Sequence, residues 1–229
     1  MNKKILALSI LLMLTALACS CNLPFLSGIE TPPPIGGETT PPPPPQAEAL
    51  FRDDFGDSGS GWEVGDYDEG SVGYKAGAYF VTSIGDGSTM WGVANQSFSD
   101  IVIKVDAIQV SAPANDNNDY GVVCREQGDG AGYYFLISGD GMYAIAKAQN
   151  EGFEWLVDFT ESGVIRQGNA ANHIQVTCDG STLELSVNGQ RLATAQDSTF
   201  TRGDIALTAT SYEETPTEIH FDNLVVSQP

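Results

Sequence analysis

The chain has 229 residues and a formal net charge of −20 at pH 7, from 10 basic and 30 acidic side chains. A chain this acidic, in which Lys3 and Lys4 are the only adjacent basic pair, lacks the positive surface that nucleic acids or anionic lipid headgroups require. We therefore expect no nucleic-acid partner. Charged residues make up 17% of the chain and hydrophobic residues 41%, which is typical of a folded globular protein and not of a highly charged disordered one.

Residues 1–20 have the pattern of an export signal. Lys3 and Lys4 precede an apolar-rich run over residues 5–18, and small residues and two cysteines follow it. This run is short for a helix that must cross roughly 30 Å of hydrocarbon at about 1.5 Å per residue. We therefore expect the segment to be cleaved.

The same segment resembles a bacterial lipoprotein signal, in which small residues precede a cysteine that becomes acylated. Both Cys21, preceded by Ser20, and Cys19, preceded by Ala18, fit this pattern. We favour Cys21, because cleavage before it removes Cys19 and leaves an even number of cysteines in the exported domain. An ordinary secretory signal is the alternative. The resemblance implies a lipid anchor at the extracytoplasmic face of the cell membrane.

Residues 21–49 form a proline-rich segment, since nine of the 12 prolines lie between residues 24 and 45. Proline runs favour the polyproline II conformation, which extends about 3.1 Å per residue. We predict a disordered tether that holds the following domain away from the membrane.

We predict that residues 50–229 form one all-β domain. Short alternating apolar runs are separated there by turn pairs such as Asp140-Gly141, Asp179-Gly180 and Asn188-Gly189. Because each alternating strand has an apolar face to bury, two packed antiparallel sheets are expected. The twelve predicted strands are residues 77–83, 89–94, 101–110, 119–126, 132–138, 142–148, 153–158, 173–178, 182–187, 190–195, 204–210 and 218–226.

The two remaining cysteines lie on the apolar faces of their predicted strands. Cys124 shares a face with Tyr120 and Val122, and Cys178 shares a face with Ile174 and Val176. We therefore predict a disulfide inside the sandwich in an oxidising compartment, and two buried free thiols are the alternative.

Four segments resemble the concanavalin A-like jelly rolls: FRDDFGDSGSGW (51–62), DYGVVCREQGDGAGYYFLIS (119–138), NHIQVTCDGSTLELSVNGQRLA (172–193) and IHFDNLVV (219–226). Within that group they are most similar to laminin-G-like and keto-disaccharide-hydrolase-type domains. The resemblance implies a jelly-roll sandwich of two sheets with about six strands each, adjacent first and last strands, and a concave face that often binds glycans. A change of phase in the last segment also predicts a bulge at Asp222-Asn223.

The sequence favours a non-catalytic domain. Laminarinase-type enzymes carry E-x-D-x-x-E on one strand face, and the sequence has no such window. The only histidines, His173 and His220, do not have the spacing of a metal-binding motif. A glycoside hydrolase built from acidic residues distant in sequence is an alternative.

A structural calcium ion is the candidate cofactor, because many concanavalin-like domains bind one. Asp54 and Asp222, near the two ends of the domain, are the candidate ligands. The Asn-rich loop at 115–121 departs from the EF-hand pattern, since Tyr120 and Gln127 occupy two ligand positions, and we interpret it as a solvated turn.

Aromatic side chains are the candidate ligand contacts, because sugars stack their C–H faces on such rings. Alternation places Tyr134 on the face opposite Tyr133 and Phe135, which points it away from the core. We select Tyr134, Trp155 and Arg125 as ligand-binding residues, followed by Trp91. The sequence thus predicts a lipid-anchored module that binds a neutral glycan. Its alternative is an adhesion module that contacts a surface protein through acidic loops.

Overall fold

The computed structural model describes residues 48–150 and 152–229, which form strands, turns and loops. All twelve predicted strands are confirmed, and no described segment is a helix long and apolar enough to cross a membrane. The predicted signal peptide (1–20) and the predicted tether up to residue 47 lie outside the described residues. The strands of the described part are β1 (Ala49–Asp53), β2 (Gly65–Tyr67), β3 (Gly70–Lys75), β4 (Ala78–Ser83), β5 (Ser88–Phe98), β6 (Ile101–Ser111), β7 (Asn118–Glu126), β8 (Gly132–Ser138), β9 (Met142–Gln149), β10 (Gly152–Glu161), β11 (Asn172–Asp179), β12 (Thr182–Val187), β13 (Gln190–Gln196), β14 (Gly203–Ser211) and β15 (Thr217–Ser227).

These strands form two antiparallel sheets, as expected for a jelly-roll sandwich. The nine-stranded sheet has the order β13-β12-β11-β6-β15-β4-β3-β2, with β1 paired to β15, and the six-stranded sheet has the order β10-β9-β8-β7-β14-β5. The predicted adjacency of the first and last strands is therefore confirmed. The nine-stranded sheet is larger than expected because it includes the short strands β1, β2 and β3, whose sequences lack a clear alternation of apolar residues.

The main core lies between the two sheets and follows the period of two along each strand. The six-stranded sheet contributes Tyr120 and Phe135 to it, and the nine-stranded sheet contributes Val105, Ile174 and Phe221, all with no exposed surface. The outer face of the nine-stranded sheet is wetter, as in β11, where buried residues alternate with exposed or half-buried ones.

Two local predictions about the backbone are confirmed. Asn188 and Gly189, in the turn between β12 and β13, both have positive φ angles (51° and 82°), as a tight hairpin turn requires. The register of β15 against β6 shifts between Asp222 and Val225, and Asn223 has a φ of 56°. The predicted bulge is therefore present, and it keeps Leu224 facing the core.

A disulfide bond joins Cys124 of β7 to Cys178 of β11. Because β7 and β11 belong to different sheets, the bond links the two layers through the main core, where both cysteines are fully buried. The predicted disulfide is confirmed.

We expect loss of this bond to lower the free energy of unfolding by roughly 4 kcal/mol, because it closes a loop of 54 residues in the unfolded chain. Urea denaturation of the protein with and without reductant measures the effect. A variant with both Cys124→Ala and Cys178→Ala is the control, since reductant should not change its midpoint. An equal effect of reductant on the variant would contradict the assignment.

Candidate functional site

The outer face of the six-stranded sheet differs from the outer face of its partner sheet. Every residue of β7 and β8 is buried, although only one side of these strands faces the main core. The outward side chains form a second apolar cluster, separate from the main core, which consists of Val123, Tyr134, Leu136, Ala146, Ala148 and Ala206. A wet outer face would instead show exposed residues at alternate positions.

Small side chains form the floor of this outer face. In one row across the sheet, Ala146 of β9 lies beside Tyr134 of β8, followed by Val123 of β7 and Ala206 of β14. Gly121 lies on the same outward side of β7. Because most of these side chains are short, the bulkier groups on the two edge strands stand above the floor on either side.

Aromatic residues supply those bulkier groups, and we call the set Trp91, Tyr134, Phe153, Trp155 and Phe159 the aromatic face. The rings of Phe153 and Trp155 are nearly parallel, with an interplanar angle of 13° and centroids 5.9 Å apart. Trp155 also lies 5.0 Å from Phe159, and Phe153 lies edge-to-face with Tyr134 at 5.1 Å. Trp91 stands on the opposite edge strand, β5.

Two grooves open on the aromatic face. The first has a volume of about 590 Å³ and lies between Trp91 and Phe153, with polar side chains that include Gln127 and Asn150. The second has a volume of about 440 Å³ and lies at the other end of the strands, between Trp155 and Tyr212. Each groove therefore combines aromatic walls with hydrogen-bonding groups.

The structure brings three of the four selected ligand-binding residues together on this face. Trp155 is 41% exposed and Trp91 is half-buried, so a ligand can reach both rings. Tyr134 is buried, and its hydroxyl donates a hydrogen bond to the carbonyl oxygen of Gly130 at 2.8 Å. Burial raises the pKa of Tyr134 well above its usual value. Tyr134 therefore supports Phe153 and leaves ligand contact to the exposed rings.

Two residues of the aromatic face were not selected from the sequence. Phe153 precedes Trp155 by two residues, and this spacing places both side chains on one face of a strand. This spacing is visible in the sequence, so Phe153 could have been selected together with Trp155. Phe159 follows Trp155 by four residues, so alternation also places it on this face, but it lies one residue beyond the predicted strand 153–158.

The position expected for Arg125 is corrected. Arg125 has a φ of 56° and is the extra residue of a bulge, because Cys124 pairs with Ile205 while Glu126 pairs with the adjacent Asp204. Its side chain is 1% exposed. The guanidinium group donates hydrogen bonds to the carbonyl oxygens of Ser99, Gly180 and Phe200 and to the carboxylate of Asp100. Arg125 therefore joins loops inside the fold and does not face a ligand.

Asp119 is a buried carboxyl group at the end of the aromatic face near the second groove. It lies opposite Ser138, which lines that groove, and it accepts a hydrogen bond from the hydroxyl of Tyr212. Its other oxygen, Oδ1, is buried without a hydrogen-bond partner among the described residues. Burial raises the pKa of Asp119 to about 6.

The two candidate calcium ligands are not placed in one cavity. Asp54 lines a shallow cavity with Asn223 and Leu224, whereas Asp222 lies opposite Asp106 on β6. Within residues 48–150 and 152–229, no group of three or more His, Cys, Asp or Glu side chains is arranged to hold a metal ion. A calcium ion at Asp54 or Asp222 would need most of its oxygen ligands from main-chain groups, amides or water.

The two antiparallel sheets form a jelly roll, a fold that this chain shares with solved structures of galectin-like and glucanase domains. Solved structures with this fold include the Bacillus licheniformis β-glucanase (TM-score 0.58, 14% identity, 80% of this chain and 100% of that chain covered). The carbohydrate-binding module CBM66 from Bacillus subtilis is also similar (0.56, 17%, 74% and 96%), as is the carbohydrate recognition domain of Emp47p (0.54, 12%, 77% and 94%). No protein-family model matches the chain, and no curated protein matches it in sequence.

We expect Asp119→Asn to change how stability depends on pH. Between about pH 4 and pH 6 the folded protein holds a proton on Asp119 that the unfolded chain releases, so this group lowers the free energy of unfolding as pH rises. Relative to the unmodified protein, the variant should gain about 2 kcal/mol between pH 4 and pH 7. Urea denaturation at both pH values measures this difference. Asp179→Asn, at an exposed position of the other sheet, is the control, and an equal change in both variants would contradict the prediction.

Proposed function

We propose that the domain is a non-catalytic module that binds a glycan on its aromatic face. The observation that carries the proposal is the pair of exposed, nearly parallel rings of Phe153 and Trp155 beside a floor of small side chains. Sugar rings present flat C–H surfaces that stack on such rings, and the floor leaves room for them.

Polar groups around the grooves complement this apolar surface. Gln127, Asp129 and Asn150 line the first groove, and Asn117 and Asp140 line the second. These side chains can exchange hydrogen bonds with sugar hydroxyl groups while the rings contact the C–H faces. The acidity of the whole chain disfavours sulfated, phosphorylated or carboxylated glycans and favours neutral or positively charged ones.

The similar structures are consistent with this proposal, because they include a carbohydrate-binding module and a carbohydrate recognition domain. They also include a β-glucanase, so hydrolysis is an outcome that the binding experiment must separate. An adhesion module that recognises a protein is the other alternative.

We expect Trp155→Ala to lower the affinity for glycans by about tenfold or more, because it removes one of the two exposed stacking rings. A glycan array followed by calorimetry on the bound oligosaccharide measures the loss. Ile108→Ala is a matched control, since Ile108 is 40% exposed but lies on β6 of the other sheet.

The outcomes of this experiment separate the candidate functions. Binding that Trp155→Ala removes and Ile108→Ala preserves supports the proposal. An array on which no glycan binds contradicts it and favours the adhesion module. Release of shorter sugars from the bound oligosaccharide favours the hydrolase.

We further propose that the module is exported and held at the extracytoplasmic face of the membrane by a lipid on Cys21. This part of the proposal depends on residues 1–21, in which a basic start, an apolar run and small residues precede the cysteines. The prolines that follow would separate the domain from the membrane surface.

Labelling with a radioactive or alkynyl fatty acid in a bacterial host tests the anchor. We expect Cys21→Ala to abolish incorporation and Cys19→Ala to preserve it, because acylation requires the cysteine that becomes the new N-terminus. The reverse result would assign the lipid to Cys19. Unlabelled protein in the culture medium would indicate an ordinary secretory signal.

A further inference from the structure

A third groove lies beside the aromatic face and has a different electrostatic character. It has a volume of about 640 Å³ and shares Trp91 with the first groove. We call it the acidic groove, because its lining includes the carboxylates of Glu63, Glu69, Glu126 and Asp204. None of these four makes an ion pair within the described residues.

Arg202 is the single basic residue in the lining of the acidic groove, and its hydrogen bonds go to Ser97 and not to the carboxylates. Arg202 donates hydrogen bonds from its guanidinium group to the hydroxyl and carbonyl oxygens of Ser97, at 3.1 and 3.2 Å. Ser97 is uncharged, so Arg202 keeps its positive charge, and the lining has four acidic side chains against this one basic side chain. Burial raises the pKa of Asp204, and the nearby charge of Glu126 adds to this in the same direction.

Glu126 points most directly to a ligand. Its side chain is 3% exposed, and Oε1 accepts hydrogen bonds from the amides of Gly128 and Gly130, both at 2.8 Å. Oε2 accepts no hydrogen bond from the described residues. It is also not fully buried, since it is absent from the set of fully buried side-chain atoms that lack a partner. This oxygen is therefore reached from the groove. Oε2 is therefore the atom of this largely buried carboxylate that is free to accept a hydrogen bond from a ligand in the groove.

Trp91 and the spread of the carboxylates indicate what kind of cation fits. The loop at Gly130 packs closely against the indole ring of Trp91. A Cβ atom added at Gly130 would lie only 2.9 Å from Cζ2 of this ring. Tyr67, 45% exposed, also lines the groove. Ammonium groups bind well over such rings. A bare metal ion fits less well, since no three of the acidic side chains described converge as ligands.

We propose that the acidic groove binds a protonated or quaternary amine carried by the glycan that occupies the aromatic face. This inference rests on the proposed function, because Trp91 belongs to both grooves and one chain of sugars would reach from one to the other. The ligand class is therefore an amino sugar with a free amino group, in which the sugar rings stack on the aromatic face and the ammonium group approaches Glu126.

The test compares oligosaccharides of equal length made of glucosamine, N-acetylglucosamine or glucose, at a pH at which the free amine is protonated. We expect the glucosamine oligomer to bind best. Its advantage over the N-acetylated oligomer should fall by about fivefold in Glu69→Gln and by tenfold or more in Glu126→Gln. Asp179→Asn is the control, because Asp179, like Glu69, is exposed.

Two features of this design protect it against a folding defect. Glutamine at position 126 can still accept the amide hydrogen bonds of Gly128 and Gly130, and circular dichroism checks the fold. Glu69 is exposed and its side chain makes no hydrogen bond within the described part of the chain, so Glu69→Gln should not disturb the fold. An amine preference unchanged in both variants, or lowered equally by Asp179→Asn, would overturn the inference.

Choline alone separates this inference from the proposed function. We expect choline at millimolar concentration to shift the NMR signal of the Trp91 indole N–H, and Glu126→Gln to abolish the shift. Choline binding without binding of any glycan would refute the proposed function and its link to this groove while leaving a cation site. Binding of neutral glycans without any choline shift or amine preference would refute the cation site alone.

Discussion

The packing of the two sheets against each other is the constraint on which the rest of the structure depends. Alternating apolar side chains of both sheets meet in the main core, and the bond between Cys124 and Cys178 links the layers there. Once one face of each strand is committed to this core, the opposite face is available for another use. The nine-stranded sheet turns a polar face outward, whereas the six-stranded sheet turns a second apolar cluster outward. This difference is the reason that the proposed binding surface lies on the six-stranded sheet and not on its partner.

A bulge in β7 determines which charged side chain stands at the edge of the outer face of the six-stranded sheet. Regular alternation along β7 would place Arg125 beside Val123 on the outer face. The bulge at Arg125 instead turns the guanidinium inward, where it satisfies carbonyl oxygens of three loops, and gives the outward position to Glu126. The bulge thus places a carboxylate instead of a guanidinium at the edge of the aromatic face, and Glu126 is one of the four carboxylates of the acidic groove.

Alternation and turn residues were enough to predict twelve strands, the two-layer architecture, the disulfide and the bulge at Asp222-Asn223. These features depend on period-two patterns and on local backbone preferences, which a sequence displays directly. The position of Arg125 was wrong because an extra residue in one strand leaves no mark on composition. Phe159 was missed for a different reason, since the predicted strand ended at residue 158 whereas β10 continues to Glu161. The acidic groove depends on Glu63, Glu69 and Asp204, which come from distant parts of the chain.

The distribution of the few basic residues gives the acidic groove its significance. The chain has three times as many acidic as basic side chains, so cations are scarce. Lys75, Lys147, Arg125 and Arg191 form ion pairs elsewhere in the described structure. On an ordinary acidic surface the carboxylates would lie far apart in water. Here four carboxylates that form no ion pair in the described structure line one groove together with Trp91. A ligand that carries its own positive charge would therefore displace no protein cation on entering, and its attraction to Glu126 would not be offset by the loss of an existing ion pair.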